Sequence, residues 1–203
     1  MSQVPAAFPP LNDETLNVLF REARTFYKFA DREVADELLK RIYDVARMGP
    51  TSNNSSPMRV VFVKSPEGKA RLMPGIKPKN VDKVISAPVT AVFGFDLRFY
   101  DHFSKLAPHA VESAENYIKD PDLKLRAAFR NGTLQAAYFL ILARGFGLQC
   151  GPMSGFLHDV VDETFFAGTE IKSNFLMNIG YGLPESVRPR GYRFSFEEAC
   201  EIV

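Results

Sequence analysis

The stretch Gly49–Lys64, GPTSNNSSPMRVVFVK, joins an expected helix to an expected strand through a run of small, uncharged residues. Gly49 and Pro50 stop the preceding helix, because glycine reaches conformations other residues avoid and proline lacks the amide donor. Arg59–Val63, RVVFV, then reads as a short strand rich in β-branched and aromatic side chains. Between them the chain offers only amides and hydroxyls. A helix stop followed by a turn accounts for that composition, and so does a cradle for the polar edge of a planar ligand; a metal would ask for carboxylates.

Upstream, Asn12 or Asp13 is placed to cap a helix over about 14–23, with Leu16, Leu19 and Phe20 on one face. Asp31 is expected to cap a second helix running through Met48, where Val34, Leu38, Ile42 and Val45 recur at helical spacing. Downstream come a helix from Pro66 to Met73 and a second strand, PVTAVFGFD, over Pro88–Asp96. That strand's near-continuous apolar run implies burial on both faces. Residues 97–119 read as irregularly helical. The longest pattern, about 122–145, places Leu125, Phe129, Leu134, Tyr138 and Leu142 around most of a helix and implies packing on several sides. After LQCGPMSGF, a helix over 159–166 and the strand NFLMNIGYG complete the order. Interleaved helices and strands without repeats give an α+β or α/β sandwich, one domain over 1–203, with 1–12 as a flexible N-terminal arm.

Composition narrows the function. The 203 residues are 46% hydrophobic and carry a formal net charge of +1, so no global basic excess points to nucleic acid. A small molecule or another protein is the expected partner. Cys150 and Cys200 have no zinc or disulfide spacing and fit a reduced cytoplasm. Neither a secretory leader nor a membrane span is expected. The 18 phenylalanines, with no tryptophan, fit a Phe-rich core or an aromatic surface for a planar ligand or subunit.

The usual nucleotide-phosphate and hydrolase motifs are absent. His102, His109 and His158 are too far apart to share a helical face, and the serines near Asn54 lack an adjacent histidine and acid. Glu197 and Glu198 read as a solvated helix face. Three positions suit a large polar ligand. Arg24 with Lys28 could hold a phosphate, or belong to a solvated loop. GPTSNNSSP suits a sugar-alcohol chain or a pyrimidine-like edge. In GPMSG, Gly151–Gly155, two glycines let backbone amides approach a ligand, while Arg188, Arg190 and Arg193 form a late basic cluster.

Taken together, GPTSNNSSP, RVVFV, AFRN, QAAY, GPMSGF, FFAG, KSN and SFEEAC resemble the FMN-dependent nitroreductase family over nearly the whole chain, and within it the malonic semialdehyde reductase branch of pyrimidine degradation. The resemblance implies a three-layer α/β/α sandwich with a central mixed, mostly antiparallel sheet. It also implies an interlocked homodimer holding FMN at the subunit interface, with NADH or NADPH as hydride donor. Carried over, Arg24 matches a phosphate or ribityl ligand, and Asn54 lies at the pyrimidine side. Pro152, Met153, Ser154 and Gly155 lie against the flavin ring, and Arg190 and Arg193 match residues on the phosphate. Phe26 stands where many members have a phosphate-contacting serine, and Ser56 where a glutamine is usual. Ser154 replaces an acid found in nitroaromatic reducers. The implied reaction is reduction of malonic semialdehyde to 3-hydroxypropionate, with Arg59 or Arg130 as candidates for the substrate carboxylate. General nitroarene or quinone reduction, or a non-catalytic flavin-binding role, are the alternatives.

Overall fold

A computed structural model describes residues 9–203. The expected arm over 1–12 therefore falls mostly outside the described residues, and Asn12 belongs to the first helix. Its side chain accepts from the Thr15 amide at 2.9 Å and opens α1, Asp13–Leu16. The helix continues as a π-helical turn, Asn17–Arg21.

Helix α2 is Asp36–Ala46, later in starting than the sequence suggests. Asp31 caps nothing: Ala30 donates to the Tyr181 carbonyl at 2.8 Å and Phe29 bridges Gly182, which holds this stretch extended. A tertiary backbone pairing here overrides a local capping signal. Leu39, Ile42 and Ala46 form the buried face of α2.

Strand β1 is Met58–Val63, followed by α3, Pro66–Leu72, which Ser65 caps through the Gly68 amide. Short helix α4, Val81–Ser86, leads to β2, Val89–Asp96, buried along its length as its apolar run implies. Residues 97–119 fold as short 3-10 pieces around α5, Phe103–Leu106, and α6, Ala114–Lys119. Then come α7, Pro121–Gly145; β3, Gln149–Met153; α8, His158–Phe166; β4, Ile171–Gly180; and α9, Phe196–Ala199.

The sheet order is β1-β2-β4-β3, and every neighbouring pair is antiparallel. Alternation along the strands sends side chains to two cores. Val89, Ala91, Phe93, Met177 and Ile179 pack with residues of α2 and α7. Val92 and Leu176 pack with Leu72 of α3, Val84 of α4 and Val161 of α8. Two cores on opposite faces make the three-layer α+β sandwich. A third cluster, Phe95, Phe99, Phe103 and Ala128, closes one end.

Helix α7 departs from its expected packing. Its buried face is small or polar: Ala128, Asn131, Gly132, Gln135, Ala136, Phe139 and Ala143. A Cβ at Gly132 would lie 2.8 Å from that of Phe95, so the helix approaches β2 closely only because that position is glycine. Leu125, Phe129 and Leu134 are 47%, 49% and 40% exposed, apolar surface that a single chain leaves uncovered.

Candidate functional site

The loop after α1 lies along β3. Thr25 forms a parallel bridge with Cys150, and Phe26 donates its amide to the Cys150 carbonyl at 3.2 Å. Two glycines admit it: a Cβ at Gly151 would meet the Phe26 carbonyl at 2.6 Å, and one at Gly182 the Phe26 ring at 2.1 Å. Phe26 and Arg24 border a cavity of about 220 Å³ with Leu148 and Cys150. Lys28 is exposed, and its carbonyl accepts from the Leu183 amide at 3.0 Å.

Arg24 also lines a second cavity, of about 370 Å³, with Tyr27, Arg144, Arg188, Arg190 and Arg193. Among the described residues no carboxylate pairs with any of these five arginines. Burial, and then the charges of Arg24, Arg193 and Arg144, hold the Arg190 guanidinium below its usual range. Guanidinium stays charged in proteins, so the cavity gathers positive charge that no described ion pair offsets. An anion with several acceptor oxygens, such as a phosphate monoester, satisfies it. The three arginines carried over from the resemblance, Arg24, Arg190 and Arg193, meet here with Arg188. Arg144 joins them from α7, where nothing in its sequence surroundings marks it.

Beside this cavity stands the β3 edge. Pro152 and Met153 are half-buried, Ser154 is exposed, and the Gly155 carbonyl accepts from Asn80 Nδ2 at 2.9 Å. A Cβ at Gly155 would lie 2.7 Å from that nitrogen, so glycine permits the contact. Lys83 Nζ donates to Asn80 Oδ1 at 2.8 Å and lies 4.5 Å from the centre of the Tyr27 ring, while Arg188 lies 4.6 Å from the same centre. Burial, then Arg188 and Lys79, lower the Lys83 pKa. Asn80 and Lys83 escaped the sequence reading, and the only signal is their spacing in KNVDK, which puts them one turn apart.

The GPTSNNSSP loop takes an unusual backbone. Asn53, Asn54 and Ser56 have φ of 51°, 49° and 41°, left-handed values that cost a non-glycine residue energy and recur at functional sites. Asn54 Nδ2 donates to the Leu106 carbonyl at 2.7 Å, and the Ser56 amide to Thr51 Oγ1 at 3.2 Å. Ser55 Oγ is buried with no partner among the described residues. Arg59 donates to the Ser56 carbonyl and pairs with Asp96 at 2.7 Å, so its charge is already engaged. Arg130 is exposed on α7.

Loop and arginine cavity meet α7 at different points along its length. The loop meets α7 at Asn131, the cavity meets it at Arg144, and those positions are separated by about 20 Å at the helical rise of roughly 1.5 Å per residue. His158 Nδ1 sits 2.9 Å from Ser173 Oγ, a structural contact. Among the described residues no group of side chains is arranged to hold a metal, and no helix is long and apolar enough to cross a membrane.

The fold is an α+β sandwich, and its arginine-lined cavity has the charge and donors that suit a phosphorylated ligand. The nitroreductase family model matches residues 20–181, and the chain belongs to that family. A Ralstonia pickettii relative, HadB, whose name places it with the NADH dehydrogenase/NAD(P)H nitroreductases, is 49% identical over 93% of this chain and 97% of its own length. A Stenotrophomonas maltophilia relative named in the same way is 49% identical over 95% and 97%. Among solved structures, a Bacillus subtilis nitroreductase, ydfN, matches with a TM-score of 0.83 at 22% identity, covering 95% of this chain and all of its own. One from Exiguobacterium sibiricum, solved with FMN, matches with a TM-score of 0.79 at 19% identity, covering 97% and 100%.

Proposed function

We propose that this protein is an FMN-dependent oxidoreductase that draws hydride from NADH or NADPH and reduces malonic semialdehyde to 3-hydroxypropionate. The observation that carries the flavin reading is the cavity lined by five arginines, none of which pairs with a carboxylate among the described residues. Those residues fit a phosphate-bearing cofactor with a planar ring. When bound, FMN supplies the hydride-accepting centre that the chain's own side chains lack.

The protein's part is binding and electrostatics. Arg24, Arg188 and Arg193 offer donors to the phosphate, and Lys83 offers a cation where a reduced ring gathers negative charge. The Pro152–Gly155 edge fixes the ring's position, and Tyr27, between the arginine cavity and Lys83, joins the two ends of the site.

A second copy is what brings Asn54 and Ser56 to a flavin held by the arginines, since within one chain their loop and the arginine cavity meet α7 at positions about 20 Å apart. The uncovered Leu125, Phe129 and Leu134 on that helix are the surface such a copy would cover. A homodimer with one FMN per chain, each site drawing on both subunits, accounts for both facts. Two free cysteines suit a reduced cytoplasm.

Ser56 and Ser154, in place of a glutamine and an acid, support the semialdehyde substrate. Arg130, exposed on α7, is the cation offered to its carboxylate, since Arg59 is held by Asp96. The names of the 49% identical relatives favour a second reading, general NAD(P)H nitroreduction. Purified protein titrated with FMN, then assayed with malonic semialdehyde and with a nitrobenzene at equal NAD(P)H, separates these. Failure to bind FMN ends the flavin reading, and faster nitrobenzene turnover replaces the semialdehyde reading with the general one.

A further inference from the structure

The π-helical turn Asn17–Arg21 borders the arginine cavity. It closes with the Glu22 amide on the Asn17 carbonyl at 2.9 Å, the wider repeat that leaves neighbouring carbonyls turned outward. Those carbonyls are the negative end of the helix, and placed beside an anion they would repel it. Two arginines cover them. Arg144 Nη1 donates to the Leu19 carbonyl at 2.8 Å, and Arg190 Nη2 donates to the carbonyls of Arg21 and Ala23, the latter at 2.9 Å. The other three arginines of the cavity are placed differently. Arg24 makes only a 3.3 Å contact with its neighbour's carbonyl, Arg193 bonds the carbonyls of Gly191 and Tyr192 in its own turn, and Arg188 lies over Tyr27.

We propose that Arg144 and Arg190 are positioning residues. They mask the carbonyl end of the first helix, Arg144 tying it to α7 and Arg190 tying residues 187–193 to it, and so turn a helix terminus of the wrong sign into one wall of an anion site. Arg24, Arg188 and Arg193 are left to meet the anion. The proposal rests on the phosphate-binding reading of this cavity. The five arginines thus fall into two groups, two that bond carbonyls of the first helix and its exit from distant parts of the chain, and three that, among the described residues, bond no carbonyl beyond their own turn and act on the ligand.

The division is tested first in flavin-free protein. Amide exchange, read by mass spectrometry over residues 16–26 and 186–194, is compared among wild type, Arg144→Gln, Arg190→Gln and Arg24→Gln. Loss of a backbone clamp opens its segment, so the Arg144 and Arg190 variants exchange about fivefold faster there while Arg24→Gln matches wild type. Arg190→Lys, which keeps a charge near the carbonyls, restores most of the protection. With FMN as probe, all three glutamine variants bind about tenfold more weakly. Exchange at the wild-type rate in both Arg144→Gln and Arg190→Gln, with FMN binding still weakened, makes them direct anion ligands and overturns the proposal. Should a glutamine variant fail to fold, the lysine variant at the same position gives the comparison. If wild type binds no FMN, the flavin reading fails while the exchange pattern still decides whether the clamp exists.

Discussion

Ser52 donates its backbone amide to Asn131 Oδ1 at 2.9 Å, and this bond fixes the GPTSNNSSP loop to the middle of α7. Arg144, in the last turn of the same helix, stands in the wall of the arginine cavity. One rigid helix therefore sets the separation between the two stretches that the sequence marks as ligand-binding. The proposed site across two chains rests on that separation.

Arg24→Gln tests the anion assignment. It removes a guanidinium with little other engagement, so FMN affinity falls about tenfold while riboflavin, which has no phosphate, binds as before. Isothermal titration with both ligands checks this, and equal losses for the two would place Arg24 away from the phosphate.

Asn54 combines a left-handed backbone with an amide on the Leu106 carbonyl. Asn54→Ala weakens FMN by roughly 1–3 kcal/mol through a lost polar partner. Asn54→Gly relieves the backbone cost and still lacks the amide, so it also binds weakly. Recovery of wild-type affinity in the glycine variant would assign the effect to backbone strain alone.

The thiols differ by burial. Cys150 is enclosed, which pushes its pKa up from 9.0 to about 12, while Cys200 is exposed. At pH 8 a thiol reagent titrates one cysteine in the native protein and two after denaturation. From pH 9 to 12 the folded state keeps a proton the unfolded chain releases, so Cys150 makes stability fall as pH rises through that window. A Cys150→Ala variant loses that part of the pH dependence in denaturant melts.

Gly132→Ala tests the packing that seats α7. Its Cβ would stand 2.8 Å from that of Phe95, a clash costing about 1–3 kcal/mol that a chemical denaturation curve measures directly. An unchanged midpoint would show that the helix shifts freely against β2.

Much of the fold was legible in the sequence where local chemistry decides the outcome. The apolar run of β2 and the β-branched run of β1 announced their strands, and Arg24, Arg190 and Arg193, marked in the sequence, line one cavity. What escaped is set by tertiary partners. Asp31 carries a capping side chain, yet pairing of Phe29 and Ala30 with the end of β4 delays the helix. Arg144 is one arginine in a long helix until the fold brings Leu19 to it. Lys83 gains meaning only beside Tyr27 and Asn80. Hydropathy marked Leu125, Phe129 and Leu134 as packed, yet the fold of one chain leaves them exposed.

The two-chain flavin site is tested most directly by mixing defects. Arg24→Gln and Asn54→Ala chains, each weak for FMN alone, are refolded together, and the mixed dimer is isolated by orthogonal tags and titrated with FMN. If each site takes its arginines from one chain and its asparagine from the other, the mixed dimer carries one site with both defects and one intact site. It then binds one FMN at wild-type affinity. No recovered site in the mixed dimer would contradict the account.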